Sequence, residues 1–544
     1  MYDPAVHDRP GFVSCYDPAT MALLAAPGTV PDMSPAEVAS AVSKSRAAQR
    51  EWRASGWPQR RLWLRVLSQY IRGHQRDICR VSSRDSGKPA VDAAFGEVLV
   101  TLEKIAWLLA EGERWLAPER RSAGSLVFYK GAQVEYHPLG VVGCIVPFNY
   151  PFHNILNPVL AAVFSGNGCV VKVSEHASWS SGLYGRILTE SLAAVGAPTD
   201  LVQIVTGGAE TGRALVEGEI DKMVFVGSTG VGRHVMKSCA ARLTPVVLEL
   251  GGKDPFIVLE DAEYDRALSI GLRGAFQSGG QNCTGAERFI VHRSLYARWT
   301  EDAAAAVAAM RQGPPLGAGR VDVGALCLPG LAERVQELVD DAVAHGGRVL
   351  AGGTLPRRGS LAVGQFYPPT VLCLDGGLRQ LAACRAWREE TFGPVMICVP
   401  FDTDEEAIAL ANDCPFGLGS SVFSRDASRC RAVGSQMDAG MTALDDFASG
   451  YMCQSLPFGG VKLSGFDRFA GVEGLRGMCV PKAVSWDLLP SLMTTALPPP
   501  LRYPTSPQGF AFVESLCRLF YGTSVAERVG GVWGMARASM AVSS

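Results

Sequence analysis

No run of 18 or more uninterrupted apolar residues occurs in these 544 residues, so length alone offers no membrane-spanning helix. Excess charge of either sign is also missing. Lys and Arg number 51 against 53 Asp and Glu, a formal net charge of −2, which gives no electrostatic footing for nucleic acid as a partner. Fifteen cysteines are scattered without a single Cys-x-x-Cys spacing, and no His-Glu-x-x-His occurs. Neither a disulfide framework nor a metal site is therefore expected, and free thiols in this number point to a reducing compartment. Internal repeats and low-complexity tracts are absent, and the first residues, Met-Tyr-Asp-Pro-Ala-Val-His-Asp, have no signal-peptide character. What remains is an ordinary globular composition, 47% hydrophobic, in a chain too long for one core. Two or three domains are expected.

The chemistry gathers around Cys283, in Phe276-Gln-Ser-Gly-Gly-Gln-Asn-Cys-Thr-Gly, 34 residues after Glu249 in Glu-Leu-Gly-Gly-Lys. A free thiol has a pKa of about 8.5 and is only a few per cent thiolate at neutral pH. At the end of a predicted helix, among small and polar residues, Cys283 can meet both substrate and backbone N–H groups. Glu249, at a strand end beside Leu250 and two glycines, is partly desolvated, which raises its pKa toward that of a general base. Asn149 in Pro147-Phe-Asn-Tyr-Pro places a side-chain amide just past another apolar strand, a common device for holding an oxyanion. Together the three read as acyl transfer through a thioester.

After Gly140 short β-rich runs alternate with helical ones. Strands are predicted at 141–146, 169–173, 201–205, 222–226 and 245–250, with helices at 178–195 and 230–241 between them. This alternation predicts an α/β fold with a parallel, Rossmann-like sheet. Gly227-Ser-Thr-Gly-Val-Gly closes one strand and opens a helix, so Gly227, Ser228 and Gly232 are placed to present N–H groups to a pyrophosphate. Lys172 and Glu175 follow the strand at 169–173. A carboxylate near the adenine ribose accepts from its hydroxyls and repels a 2′-phosphate, so NAD is preferred, with Lys172 leaving NADP tolerable. A second α/β series runs from Pro255 to about Phe447. Upstream, residues 36–80 have helical spacing opened by the capping box Ser34-Pro-Ala-Glu. A second long helix is expected over 90–115, then a hairpin over 126–136 turning at Lys130-Gly131.

Seven blocks carry a resemblance: Val146-Pro-Phe-Asn-Tyr-Pro, Lys172-Val-Ser-Glu, Gly227-Ser-Thr-Gly-Val-Gly, Glu249-Leu-Gly-Gly-Lys, Gly280-Gln-Asn-Cys, Glu389-Glu-Thr-Phe-Gly-Pro and Pro457-Phe-Gly-Gly-Val-Lys. In this order, over roughly residues 11 to 490, the chain resembles the aldehyde dehydrogenase superfamily. The stretch from Asp446 to Gly460 and the tail segment Tyr503-Pro…Gly509-Phe are most similar to its divergent eukaryotic branch, family 22. The resemblance implies NAD-dependent oxidation of a small-molecule aldehyde to a carboxylic acid through a thiohemiacetal and a thioester on Cys283. It implies that Glu390 holds the nicotinamide ribose and that Phe392 packs beside the nicotinamide ring. Branches that pass the acyl group to coenzyme A generally lack the residue matching Glu249, so water is the expected acceptor. The acylating reaction and a catalytically silent paralogue acting as a scaffold stand as alternatives.

The implied domains are 1–120 with 139–249 for NAD, 250–448 for catalysis, 121–138 with 474–487 as a bridging element for a homodimer or homotetramer, and 488–544 as linker and tail. Relatives in the suspected branch carry a hydrophobic anchor ahead of the enzyme body. This sequence shows none, which gives a cytoplasmic expectation, with an endomembrane location the alternative if an N-terminal anchor is missing from the chain. Two departures stand out: Phe148 where the family often has Trp, and Asp445 where it usually has Asn. Tyr150, His153, Asn157 and Met452 match positions that line substrate tunnels in relatives, and His153 reads as a tunnel or packing residue rather than a catalyst. In the tail, apolar residues at 512, 516, 519, 520 and 525 approximate one helical face that needs a partner surface, the enzyme itself, a neighbouring subunit or, as a peripheral contact, a membrane.

Overall fold

A computed structural model describes residues 9–24 and 28–543. The chain divides into two compact units. One carries the chain up to Trp115 together with Pro138–Cys479, and the other Leu116–His137 together with the chain from Val480 onward.

Two large sheets form the core of the larger unit. Val141–Val146, Gly168–Val173, Val202–Val205, Lys222–Gly227 and Val246–Leu250 are parallel neighbours in a six-stranded sheet, closed at one edge by the antiparallel strand Gly465–Phe466. These strands are β-branched and almost wholly buried, as suits a parallel sheet covered on both faces. All five predicted strands are present, within three residues at either end. Chain order runs outward from Val141–Val146 through Gly168–Val173 to Val202–Val205. It then returns to lay Lys222–Gly227 against the opposite side of Val141–Val146. The order therefore reverses between Val141–Val146 and Lys222–Gly227, and the crevice beyond their carboxyl ends is where open α/β sheets bind ligands.

The second sheet has seven strands, ordered Arg348–Ala351, Thr370–Cys373, Val395–Phe401, Ala286–His292, Asp254–Val258, Ser421–Phe423 and Ala443–Leu444. Its residues alternate between two cores. Phe256, Val258, Phe289, Val291, Val371 and Cys373 pack around Trp299, whereas Ile257, Leu259, Ile290, Leu372 and Leu374 face Leu338 and Trp387. That is the period-two rule of a strand, and each fully buried large side chain contributes about 1.5–3 kcal/mol.

Upstream, the capping box is formed. Ser34 Oγ accepts from Glu37 N–H at 3.4 Å and Glu37 Oε2 accepts from Ser34 N–H at 2.8 Å. The single helix expected over 36–80 is two, Pro35–Trp52 and Trp57–Ser86, parted at Gly56, which caps the second with Pro58 inside its first turn. The expected hairpin is shifted. Its strands are Glu119–Arg121 and Lys130–Pro138, so Lys130-Gly131 lies within a strand and the turn falls before it. Gly131 earns its place otherwise, since a Cβ there would lie 2.3 Å from the ring of Trp486. The strand expected from Gly474 begins at Cys479, because Gly471–Arg476 is helical. The tail forms two helices, Gly509–Tyr521 and Val525–Ser543. On the first, Phe512, Leu516, Leu519 and Phe520 do turn inward, but Val525 belongs to the second and is 79% exposed.

Candidate active site

Asn149, Gly227 and Glu249 all follow or end parallel strands at the carboxyl edge of the first sheet. Cys283 comes from the loop that leads into the second sheet, joining Tyr264–Phe276 to Ala286–His292. Asn149, Gly227, Ser228, Glu249, Cys283, Glu390 and Phe392 line one cavity of about 470 Å³. Lys172, Glu175 and Gly232 are not in its wall.

The helix before Cys283 stops earlier than expected. Ser278, Gly279 and Gly280 have φ of 54°, 67° and 75°, a left-handed stretch that costs a non-glycine residue energy. Asp92, fully buried, holds it in place, accepting from Ser278 N–H at 2.8 Å and from Arg273 Nη2 at 2.6 Å. A Cβ on Gly280 would fall 2.1 Å from the Gly393 carbonyl, and one on Gly252 2.3 Å from the Cys283 carbonyl. The glycines are what let the thiol-bearing loop lie against the end of the Glu249 strand.

Cys283 is half-buried. Burial and then the facing Glu249 carboxylate hold its thiol well above the usual thiol range, so the resting sulfur is protonated. Burial pushes the Glu249 carboxyl up to about 7, with the thiol's hydrogen bond opposing. Glu249 is 1% exposed, and its Oε1 has no hydrogen-bond partner. Asn149 donates from Nδ2 to the Gln281 carbonyl at 3.0 Å, while its Oδ1 accepts from Asn154 Nδ2 at 3.1 Å. These bonds fix the orientation of the amide, and Nδ2 makes no second hydrogen bond among the described residues. The Cys283 N–H makes no backbone hydrogen bond among the described residues.

Several positioning groups escaped the sequence reading. Glu97, buried, accepts from Phe152 N–H at 2.7 Å and pairs with Lys88 at 2.6 Å, tying down the start of the helix Pro151–Phe164 that follows Asn149. Lys253 of the Glu-Leu-Gly-Gly-Lys block donates to Thr391 Oγ1 at 2.8 Å and pairs with Glu287. Glu287 in turn accepts from Thr391 and Phe392 N–H, and so holds Phe392 at φ 52°, edge-on to Phe148 with centroids 5.9 Å apart. Asn154 carried a signal in hindsight, five residues after Asn149 and one helical turn inside. Glu97 and Glu287 carried none, for their partners are remote in sequence.

On the nucleotide side, Ser228 precedes the 12-residue helix Thr229–Ala240, and a Cβ on Gly230 would meet nothing within 4 Å. That open helix start at the switch point fits a phosphate group. Gly232 does a different job, since a Cβ there would stand 2.6 Å from Leu250 Cδ2; it lets the helix close on the Glu249 strand. Lys172 Nζ lies 3.0 Å from Glu175 Oε2. Burial raises the Glu175 pKa, but the ammonium and hydrogen bonds outweigh it and hold the carboxyl below its ordinary value. Burial, then Glu287 and Glu249, push Glu390 up to about 8, opposed by a bond from Gly252 N–H at 3.0 Å. Asp445 pairs with Arg266, which offsets its charge, and the neighbouring Asp446 lines the cavity instead.

Tyr150, His153, Asn157 and Met452 stand in the cavity wall with Phe95, Phe447, Phe458 and Phe469. His153 Nδ1 is 2.8 Å from Thr101 Oγ1 and its Nε2 2.5 Å from the Tyr451 hydroxyl. Burial, then Lys104, push its pKa down to about 3. It is neutral and committed to packing.

A nucleotide-type sheet whose switch point opens onto a cavity holding a thiol, a buried carboxylate and a fixed amide has the architecture of a nicotinamide-dependent oxidoreductase. The family model described as the aldehyde dehydrogenase family matches residues 6–484. An aldehyde dehydrogenase-like protein of Saccharomyces cerevisiae is 39% identical, covering 97% of this chain and 83% of its own. One of Schizosaccharomyces pombe is 37% identical, covering 96% and 99%. The crystal structure of PnpE from Pseudomonas sp. WBC-3 superposes with a TM-score of 0.82 at 28% identity over 90% of this chain and 96% of that one. PnpE in complex with nicotinamide adenine dinucleotide gives 0.82 at 29% identity over the same shares. The chain belongs to the aldehyde dehydrogenase family, and is an NAD(P)-dependent enzyme of that class.

Proposed function

We propose that this enzyme oxidises an aldehyde to a free carboxylic acid, with Cys283 as nucleophile, Glu249 as base and Asn149 as oxyanion donor. The observation that carries the reading is the pairing of a half-buried thiol with a fully buried carboxylate whose pKa is about 7. Near neutrality a large share of such a carboxyl is ionised and able to take a proton from water. The sulfur, giving up its proton to solvent, adds to the carbonyl carbon, and the free Asn149 N–H with the Cys283 N–H receives the oxygen, each donor in such sites contributing about 3–4 kcal/mol. When bound, the nicotinamide ring accepts the hydride that leaves the thiohemiacetal carbon. Glu249 next removes a proton from water attacking the thioester, and acid and thiol are released. Gly227, Ser228, Lys172 and Glu175 would hold the nucleotide, Glu390 the ribose near the reacting end, and Phe392 would pack beside the ring. Purified enzyme given NAD and a panel of aldehydes, with and without coenzyme A, tests the whole reading. Acid formation independent of coenzyme A is expected; an acyl-coenzyme A product overturns the hydrolytic step, and inertness toward every aldehyde favours the silent scaffold.

Glu175 supports NAD over NADP. Its carboxylate stays ionised beside Lys172, and a 2′-phosphate placed there meets a negative charge. A preference of at least about tenfold in kcat/KM is expected, corresponding to about 1.4 kcal/mol. Glu175→Gln should narrow it by improving NADP; equal use of the two cofactors by the unaltered enzyme would remove Glu175 from this role.

We further propose the cytoplasm as the site of action, a homo-oligomer built through the three-stranded sheet of Glu119–Arg121, Lys130–Pro138 and Cys479–Asp487, and a lipid-facing tail. The second tail helix turns its large apolar residues outward. A Cβ on Gly531 would lie 2.5 Å from the Leu519 backbone and one on Gly534 2.2 Å from Ser515 Oγ, so small residues sit between the helices. Val525, Val529, Val532, Trp533 and Met540, on one face of the second helix, are 49–79% exposed. Large apolar groups outward and small ones inward is how helices pair in an apolar medium, and Arg528 and Arg537 flank the outward stripe as cations do at a lipid surface. Deleting residues 505–544 should leave turnover intact and abolish flotation with anionic phospholipid vesicles. Unchanged flotation would overturn the lipid assignment, and a dimer that falls apart would reassign the tail to a neighbouring subunit.

A further inference from the structure

Resting on the aldehyde-oxidation reading, the geometry points to Asn157 as a specificity-determining residue that binds a hydroxyl on the substrate chain, several carbons from the reacting carbonyl. The helix Pro151–Phe164 is apolar along most of its length, yet His153, Asn154 and Asn157, at i, i+1 and i+4, all stand in the cavity wall. Two of the three have protein partners. His153 is bonded through both ring nitrogens to Thr101 and Tyr451. Asn154 donates to the Pro147 carbonyl at 3.2 Å and to Asn149. Asn157 is different: it is 5% exposed, and its Oδ1 is buried with no hydrogen-bond partner.

Buried amides are almost always paired, and an apolar residue of the same size at this position would leave no buried polar atom without a partner. Glu249 Oε1 is the other unpaired polar atom among the cavity residues already argued to act on substrate. Asn157 thus has the mark of a group whose partner arrives with the ligand. Reading along the helix, Asn157 is six residues beyond Pro151, roughly 9 Å at about 1.5 Å per residue, while Asn149 sits just before Pro151 at the sulfur end. The partner therefore belongs on the substrate's chain, away from its carbonyl.

The wall also says what kind of partner. Its cations are paired, Arg273 with Asp92 at 2.6 Å and Arg334 with Glu389 at 3.9 Å. A carboxylate tail would find no free positive charge. Of the carboxylates in the wall, Glu249 and Glu390 lie at the reacting end, and Asp446 accepts from Ser449 and from Phe447 N–H while keeping its charge. A hydroxyl is neutral, and because it both donates and accepts it answers either end of an amide.

The test uses the full-length enzyme with NAD and matched pairs of straight-chain alkanals and their terminally hydroxylated counterparts, from about four to ten carbons. The expected result is a hydroxyl preference of at least about tenfold in kcat/KM at one chain length, since a site built to bond a hydroxyl rejects the analogue without it. In Asn157→Leu, which keeps the volume and removes the hydrogen bond, the ratio should collapse toward one. Oxidation of both series by the unaltered enzyme without preference at any length overturns this inference and leaves the oxidation reading standing. A preference that survives in Asn157→Leu overturns it too. Failure to oxidise any member of either series overturns the parent reading, and the inference with it.

Discussion

Cys283→Ala is expected to lose aldehyde oxidation by on the order of 10⁴-fold or more, as removal of a covalent nucleophile does when its partners act as one unit with it. Nucleotide binding, followed by fluorescence quenching or calorimetry, should remain near that of the unaltered enzyme. The reason is spatial: Cys283 is carried by the loop leading into the second sheet, held by Asp92 and by the close approach of Gly280 to Gly393. The residues assigned to the nucleotide lie mainly at the strand ends of the first sheet. Alanine also fits the space of the thiol without disturbing that loop. Substantial turnover by the variant would sink the covalent mechanism, while loss of both turnover and NAD binding would show that the loop had collapsed.

The second large effect concerns Glu249. Glu249→Gln keeps the shape of the carboxyl but cannot accept a proton. A burst of NADH is therefore expected, followed by a steady state slower by about 10²–10³-fold, within the range that a general base contributes. The pH profile gives an independent readout. Burial raises the Glu249 pKa above the ordinary carboxyl value, to about 7. Below that the group is protonated and idle, so the steady-state rate should rise with pH through about 7 and level off above it. In Glu249→Gln this limb should vanish. Equal slowing of burst and steady state, or a limb that persists in the variant, would take Glu249 out of the base role.

The sequence by itself determined everything that depends on local pattern. Short buried β-branched runs separated by helices could only become a parallel α/β sheet. Ser34-Pro-Ala-Glu could be read as a helix start because both of its hydrogen bonds close within four residues. Cys283, Glu249 and Asn149 were visible because small residues around a lone thiol, acid or amide at a strand end are uncommon.

Tertiary structure decided the rest, wherever a residue's partner is far away in the chain. Gly131 looked like a turn until Trp486 was found against it, and Gly232 has a packing reason that no local pattern shows, since Leu250 fills the space a Cβ would need. Asp445 looked like a free charge near the active-site loop, but Arg266, 179 residues away, pairs with it. The roles of Glu97, Asp92 and Glu287 as clamps on the catalytic loops have no local signature, since their bonds span from 9 to 186 residues. The unpaired oxygen of Asn157 belongs to the same class. A sequence shows that an amide is present; only packing shows that the protein has left it without a partner, because hydrogen-bond satisfaction is settled by the sum of everything folded around a group.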